Sequence, residues 1–134
     1  MQTYLDQLRT ILDHGVTKSD RTGVGTISWF GLQARYDMAD GFPAVTTKKL
    51  VWKSMVSELL WFITGSNNIT DLKDIYRYNK LWDANYEDFV ARRAAVDDGD
   101  MGRVYGVQWR RWLGADGNEV DQLAEAIELI RHNP

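Results

Sequence analysis

Hydrophobic positions along this chain change period several times, and each change marks an element. In the opening segment Leu5, Leu8, Ile11 and Leu12 recur at helical spacing, with Thr3 placed to cap the start and His14-Gly15 to stop it. Lys18 to Thr26 is polar and glycine-rich and reads as a loop. From Thr26 to Met38 the pattern alternates: Ile27 and Trp29 share one face, then Phe30, Leu32, Ala34, Tyr36 and Met38 share the next. The phase slips by one residue near Gly31, which predicts a bulge or sharp bend in a strand or hairpin. Asp40-Gly41 and Pro43 mark a turn. From about Val51 to Ile63 the period is helical again, and Trp52, Met55, Val56, Leu59, Leu60 and Ile63 make one broad apolar face. The remaining strip holds Lys53, Ser54, Ser57, Glu58 and Trp61, so a largely buried helix is expected, with Glu58 at the border of its apolar arc. Gly65-Ser66-Asn67-Asn68 ends it, and Asn68 is placed to cap a further helix with Leu72, Ile75 and Tyr76. Tyr86 to Val96 reads as a short amphipathic helix, Asp97-Asp98-Gly99-Asp100 as a loop, and Val120, Leu123, Ile127 and Ile130 as a last helix stopping before Pro134.

The 134 residues suffice for a single domain with one buried core. Hydrophobic residues at 44% and charged residues at 26% argue against a disordered or fibrous chain. The longest apolar run, Leu59 to Ile63, is far short of a bilayer span, and the first residues lack the pattern of a secretory signal. With 16 basic and 19 acidic residues the net charge is -3, so no general attraction to nucleic acid or anionic lipid is expected and a bound anion needs a local cluster. Cysteine is absent, which removes disulfides, thiolate metal sites and a cysteine nucleophile.

Three groups could carry chemistry. Arg21, in Asp20-Arg21-Thr22-Gly23-Val24-Gly25-Thr26, is a guanidinium on a glycine loop and suits a phosphate or carboxylate. The spacing matches neither a Walker loop nor a dinucleotide fingerprint, and a hairpin turn with one solvated arginine is the blander and better-supported reading of the residues alone. Glu58, partly desolvated at an apolar border, is placed for acid or base work, with an ion-paired boundary residue as the even alternative. Trp82, Tyr105, Trp109 and Trp112 fall near Arg103, Arg110 and Arg111, a combination that could stack on a charged heterocycle, although core packing is the better reading of any single ring. His14 and His132 sit at helix ends and do not suggest a metal site.

Five segments, in order, resemble the N-terminal part of thymidylate synthase: Asp20-Arg21-Thr22-Gly23-x-Gly25-Thr26, Asp40-Gly41-Phe42-Pro43-x-Val45-Thr46-Thr47-Lys48, Glu58-Leu59-Leu60-Trp61-Phe62, Trp82-Asp83 and Val104-Tyr105-Gly106-x-Gln108-Trp109-Arg110. The resemblance implies an α+β fold, with helices packed on a large, mostly antiparallel sheet of which only the N-terminal part is present, as one domain over 1–134. It also implies a cytoplasmic homodimer that methylates dUMP to dTMP. Methylenetetrahydrofolate is the implied cosubstrate, and no metal is implied. On this resemblance Arg21 binds the dUMP phosphate and Glu58 orders water and relays protons around the pyrimidine. Lys48 holds the folate tail, Leu81 and Trp82 pack near the folate ring, and Tyr105 belongs to the surroundings of the nucleophile.

The sequence also departs from that pattern. Val51 stands at a folate-contacting position where bacterial members often have histidine, Arg103 where proline is usual, Val107 where a more polar residue is usual, and Ala84-Asn85 where many members have Glu-Trp. The family's catalytic cysteine and its uracil-holding residues have no counterpart here. The expectation is therefore a domain truncated at its C-terminal end, inactive alone and in need of the C-terminal part of the same fold, because the reaction requires a thiolate. The alternatives are a dUMP or dCMP hydroxymethylase of the same superfamily and a non-catalytic module for nucleotide or folate binding or for assembly.

Overall fold

The computed structural model describes residues 1–20, 23–93 and 98–133 and divides into two units, Met1–Leu50 and Val51–Pro134. In the first, α1 (Gln2–His14) leads into the antiparallel pair β1 (Val16–Lys18) and β2 (Thr26–Ser28), with Val16 opposite Ser28 and Lys18 opposite Thr26. A single 3-10 turn follows at Met38–Asp40, capped by the Asp37 carboxylate, which accepts the Ala39 N–H at 2.8 Å. α1 begins earlier than the expected Thr3 cap, since the Leu5 N–H reaches the Met1 carbonyl at 3.3 Å and carries the helix back to the first residue. It ends at Gly15 in an extended rather than a left-handed conformation, and the position has no room for a side chain. The φ of Gly15 is -70°, but a Cβ there would lie 2.3 Å from the Ile11 carbonyl oxygen and 2.5 Å from Ile27 Cγ2 of β2.

The glycine loop after Lys18 is the connection of this hairpin. Gly23 and Gly25 have φ of 77° and 84°, and the Gly25 N–H donates to the Asp20 carboxylate at 3.3 Å. Arg21 itself lies outside the described residues. Of the strand expected over Thr26–Met38, only Thr26–Ser28 is paired. Alternation gives a segment two faces, but a strand also needs a neighbour's backbone, and β1 extends only from Val16 to Lys18. The bend anticipated near Gly31 is present as a residue with φ of 84°.

The second unit holds α2 (Trp52–Thr64), α3 (Ile69–Ile75), α4 (Asp83–Arg93), α5 (Tyr105–Arg110), the antiparallel pair β3 (Trp112–Leu113) and β4 (Glu119–Val120), and α6 (Gln122–His132). The class is α+β, and among the described residues its β component is two sheets of two strands. α2 ends where Gly65 turns left-handed at φ 76°. Asn68 caps α3 as anticipated, accepting the Thr70 N–H at 2.8 Å, and its amide also donates to the Asp98 carbonyl at 3.0 Å. α4 starts a turn ahead of the expected Tyr86, while the expected end at Val96 lies outside the described residues, as does Asp97. Val120 belongs to β4 rather than to the last helix, because Asp121 caps α6 by accepting the Ala124 N–H at 3.0 Å.

The core of this unit is Trp61, Phe62, Ile69, Leu72 and Met101, with Trp82, Tyr86, Val104 and Trp109 packed against it. This corrects the expected orientation of α2. Its broad apolar face remains 36–49% exposed from Trp52 to Ile63, whereas the narrow strip, apart from the exposed Lys53, turns inward, with Ser57 at 3% and Trp61 at 0%. A hydrophobic stripe says which surface gains most from cover, not which surface neighbouring elements reach. Here α3 and α5 pack on α2, and the residues that meet them include Trp61 and Phe62.

α5 was not expected, since six residues are too few to show a period. Gly106 sets its approach to α2, because a Cβ there would lie 2.9 Å from the Phe62 carbonyl oxygen and 3.0 Å from that of Ser66. Both obstacles are backbone and cannot rotate away. Gly106→Ala should therefore destabilise the protein by about 1–3 kcal/mol through overpacking, read as a lower urea midpoint with an unchanged slope.

Candidate functional site

Turning its narrow strip inward carries the carboxylate of α2 with it. Glu58 follows the buried Ser57, is itself half-buried, and accepts a hydrogen bond from Trp82 Nε1 through Oε1 at 2.6 Å. An indole N–H on a carboxylate is a charge-assisted bond, and it compensates Glu58 for part of the water it loses at the edge of an aromatic core. The indole is in turn held by rings. Trp82 meets Trp61 edge-on at 5.6 Å, Phe62 at 6.0 Å and Tyr105 at 6.0 Å, while Phe62 meets Tyr105 at 5.2 Å and Trp109 at 5.5 Å. These tilted arrangements place ring edges on ring faces, the favourable geometry for aromatic pairs. Trp61 is wholly buried, and its Nε1 has no acceptor among the described residues.

The structure thus brings Glu58, Trp82 and Tyr105 to one locality of the second unit, with Leu81 next to Trp82 in the chain. Tyr105 and Leu81 remain 53% and 46% exposed, so one edge of the cluster faces solvent. Val51 is the N-cap residue of α2, seven positions before Glu58, which at 1.5 Å per residue is about 10 Å along the helix. Lys48 is exposed and belongs to the first unit. The expected convergence of Arg21 with Glu58 rests on a residue outside those described.

The arginines near the rings are already engaged. Arg110 pairs with Asp121 at 2.9 Å, Arg111 donates to the Gly65 carbonyl at 3.4 Å, and the Arg103 guanidinium lies 5.2 Å from the centre of the Trp112 ring. Each guanidinium keeps further N–H donors beyond these contacts. The sequence singles out Phe62 only as the last residue of the Glu58–Phe62 segment, yet four rings meet it. It also passed over Asn79, in a polar stretch without a period, whose buried amide bonds to Ser54, Ser57 and Leu81.

A carboxylate with one oxygen fixed by an indole can turn its remaining lone pairs toward a ligand or an ordered water and exchange a proton there. The flat indole and the neighbouring Leu81 offer an apolar surface to a heterocycle beside it. Phe62→Leu should destabilise the unit by about 1–3 kcal/mol, because several edge-to-face pairs of about 0.5–1.5 kcal/mol each are lost together. It should also diminish the near-ultraviolet circular dichroism of the coupled rings.

A family model described as thymidylate synthase matches residues 2–134, nearly the whole chain. The match runs through Glu58, Trp82 and Tyr105, the residues that the fold gathers. This chain belongs to the thymidylate synthase family.

Proposed function

We propose that this polypeptide contributes the proton-handling and folate-facing part of a reductive methylation of dUMP to dTMP. The observation that carries the reading is the hydrogen bond from Trp82 to the half-buried Glu58 beside the exposed face of Tyr105. Glu58 orders water and relays protons around the pyrimidine, with Trp82 holding the carboxylate in place, and geometry of this kind is what general acid–base catalysis needs. Leu81 and the indole of Trp82 pack against the folate ring, Lys48 holds the anionic folate tail, and Val51 occupies a folate-contacting position. Arg21 grips the nucleotide phosphate, as a guanidinium suits a dianion. Methylenetetrahydrofolate, when bound, supplies both the carbon and the hydride. The thiolate that opens the reaction by adding to the pyrimidine is not among these 134 residues, which include no cysteine. A complementary, cysteine-bearing part of the same fold supplies it, in a homodimer located in the cytoplasm.

The test combines this chain with a cysteine-bearing C-terminal fragment of a thymidylate synthase and follows dihydrofolate by absorbance and the nucleotide product by mass. The expected result is dUMP-dependent dihydrofolate and a methylated product, with no turnover from either part alone. Glu58→Gln in the mixture should lower kcat by about 100- to 10,000-fold, the usual contribution of a general acid or base. A folded mixture without turnover, or one indifferent to Glu58→Gln, contradicts the reading. A hydroxymethylated product reassigns the reaction.

A further inference from the structure

Asn79 is fully buried, and its three side-chain hydrogen bonds join the two segments that carry Glu58 and Trp82. Its Nδ2 donates to the Ser54 carbonyl at 3.0 Å and to Ser57 Oγ at 2.9 Å, and its Oδ1 accepts the Leu81 N–H at 3.0 Å. Ser57 immediately precedes Glu58, and Leu81 immediately precedes Trp82. Ser57 Oγ is itself committed as a donor to the Ser54 carbonyl at 3.1 Å, so toward Asn79 it is an acceptor. The amide consequently has one permitted orientation, because flipping it would set Oδ1 against a carbonyl and an accepting hydroxyl. On the other side, the Lys73 ammonium donates to the Asn79 carbonyl oxygen and pairs with Asp83, which closes the 79–83 segment around Trp82. Burying an amide is costly unless it is fully bonded, and an apolar side chain would fill this space without that cost. What an apolar side chain could not do is fix the register between α2 and the Leu81-Trp82 segment.

We infer that Asn79 is a positioning residue: its amide clamps Ser57 to Leu81 and so sets the Trp82 indole on the Glu58 carboxylate. Its catalytic consequence rests on the function proposed above, whereas the clamp itself can be read without turnover. The experiment follows the Trp82 indole N–H by nitrogen-15 NMR in the folded chain, with the signal identified by its loss in Trp82→Phe. Asn79→Asp keeps the size and the acceptor for Leu81 but replaces the donor facing Ser54 and Ser57. It should move the indole proton upfield, toward its position in Glu58→Gln, and speed its solvent exchange by at least about tenfold, the factor expected when a hydrogen bond to a charged group is lost. Ser57→Ala removes one arm of the clamp from a helix that stays intact, and should shift the same signal in the same direction by a smaller amount. Ile69→Val, a destabilising change in the same core that leaves the clamp alone, should leave the indole shift in place.

An indole signal unchanged in folded Asn79→Asp and in Ser57→Ala would overturn the inference. If Asn79→Asp does not fold, Ser57→Ala decides alone. A shifted indole together with turnover indifferent to Glu58→Gln would retain the clamp and remove its catalytic meaning. An unmoved indole with turnover dependent on Glu58 would overturn the clamp and leave the proposed function standing.

Discussion

A carboxylate placed at the edge of an aromatic core must find a donor there, and in this protein the donor is one indole. The bond between Glu58 and Trp82 links α2 to the segment that follows α3, and the rings of Trp61, Phe62 and Tyr105 meet its indole, with Trp109 behind Phe62. Without that donor, Glu58 would lose water at the edge of the core with no protein partner to replace it, and holding this strip of α2 inward with Ser57 and Trp61 would cost more. The same bond therefore serves folding and, on the function proposed, chemistry. Gly106 lets α5 approach the Phe62 carbonyl, and the neighbouring Tyr105 presents its ring to Trp82.

Two departures from the family pattern acquire different standing in the structure. Arg103, where proline is usual, places its guanidinium over Trp112 and so joins the segment before α5 to the hairpin after it. Position 51 is the N-cap of α2, and a valine offers no side-chain acceptor to the first turn, so its exposed position is free to be judged on ligand contact alone. Nothing in the structure explains Val107.

Much of the element order was legible in the sequence because local signals are strong where they are chemical. Asn68 reads as a cap and acts as one, Gly65 reads as a stop and turns left-handed, and the phase slip at Gly31 is a bend. What was not legible depended on partners. The alternation over Thr26–Met38 could not reveal how little backbone β1 offers it, and the apolar stripe of α2 could not reveal that the narrower strip is the one α3 and α5 reach. Of the site, Glu58, Trp82 and Tyr105 were identifiable from motif resemblance, and their mutual contact was not. Asn79 gave no signal, since its importance lies in bonds to residues 25 and 22 positions away.

The coupling between Glu58 and Trp82 is open to direct measurement by a double-mutant cycle in urea unfolding with Glu58→Gln, Trp82→Phe and the pair. A charge-assisted bond at a half-buried site, discounted for its contact with solvent, predicts a coupling energy of about 1–2 kcal/mol. Stability changes that add to within about 0.5 kcal/mol would mean that the two side chains are independent, and the account would fail.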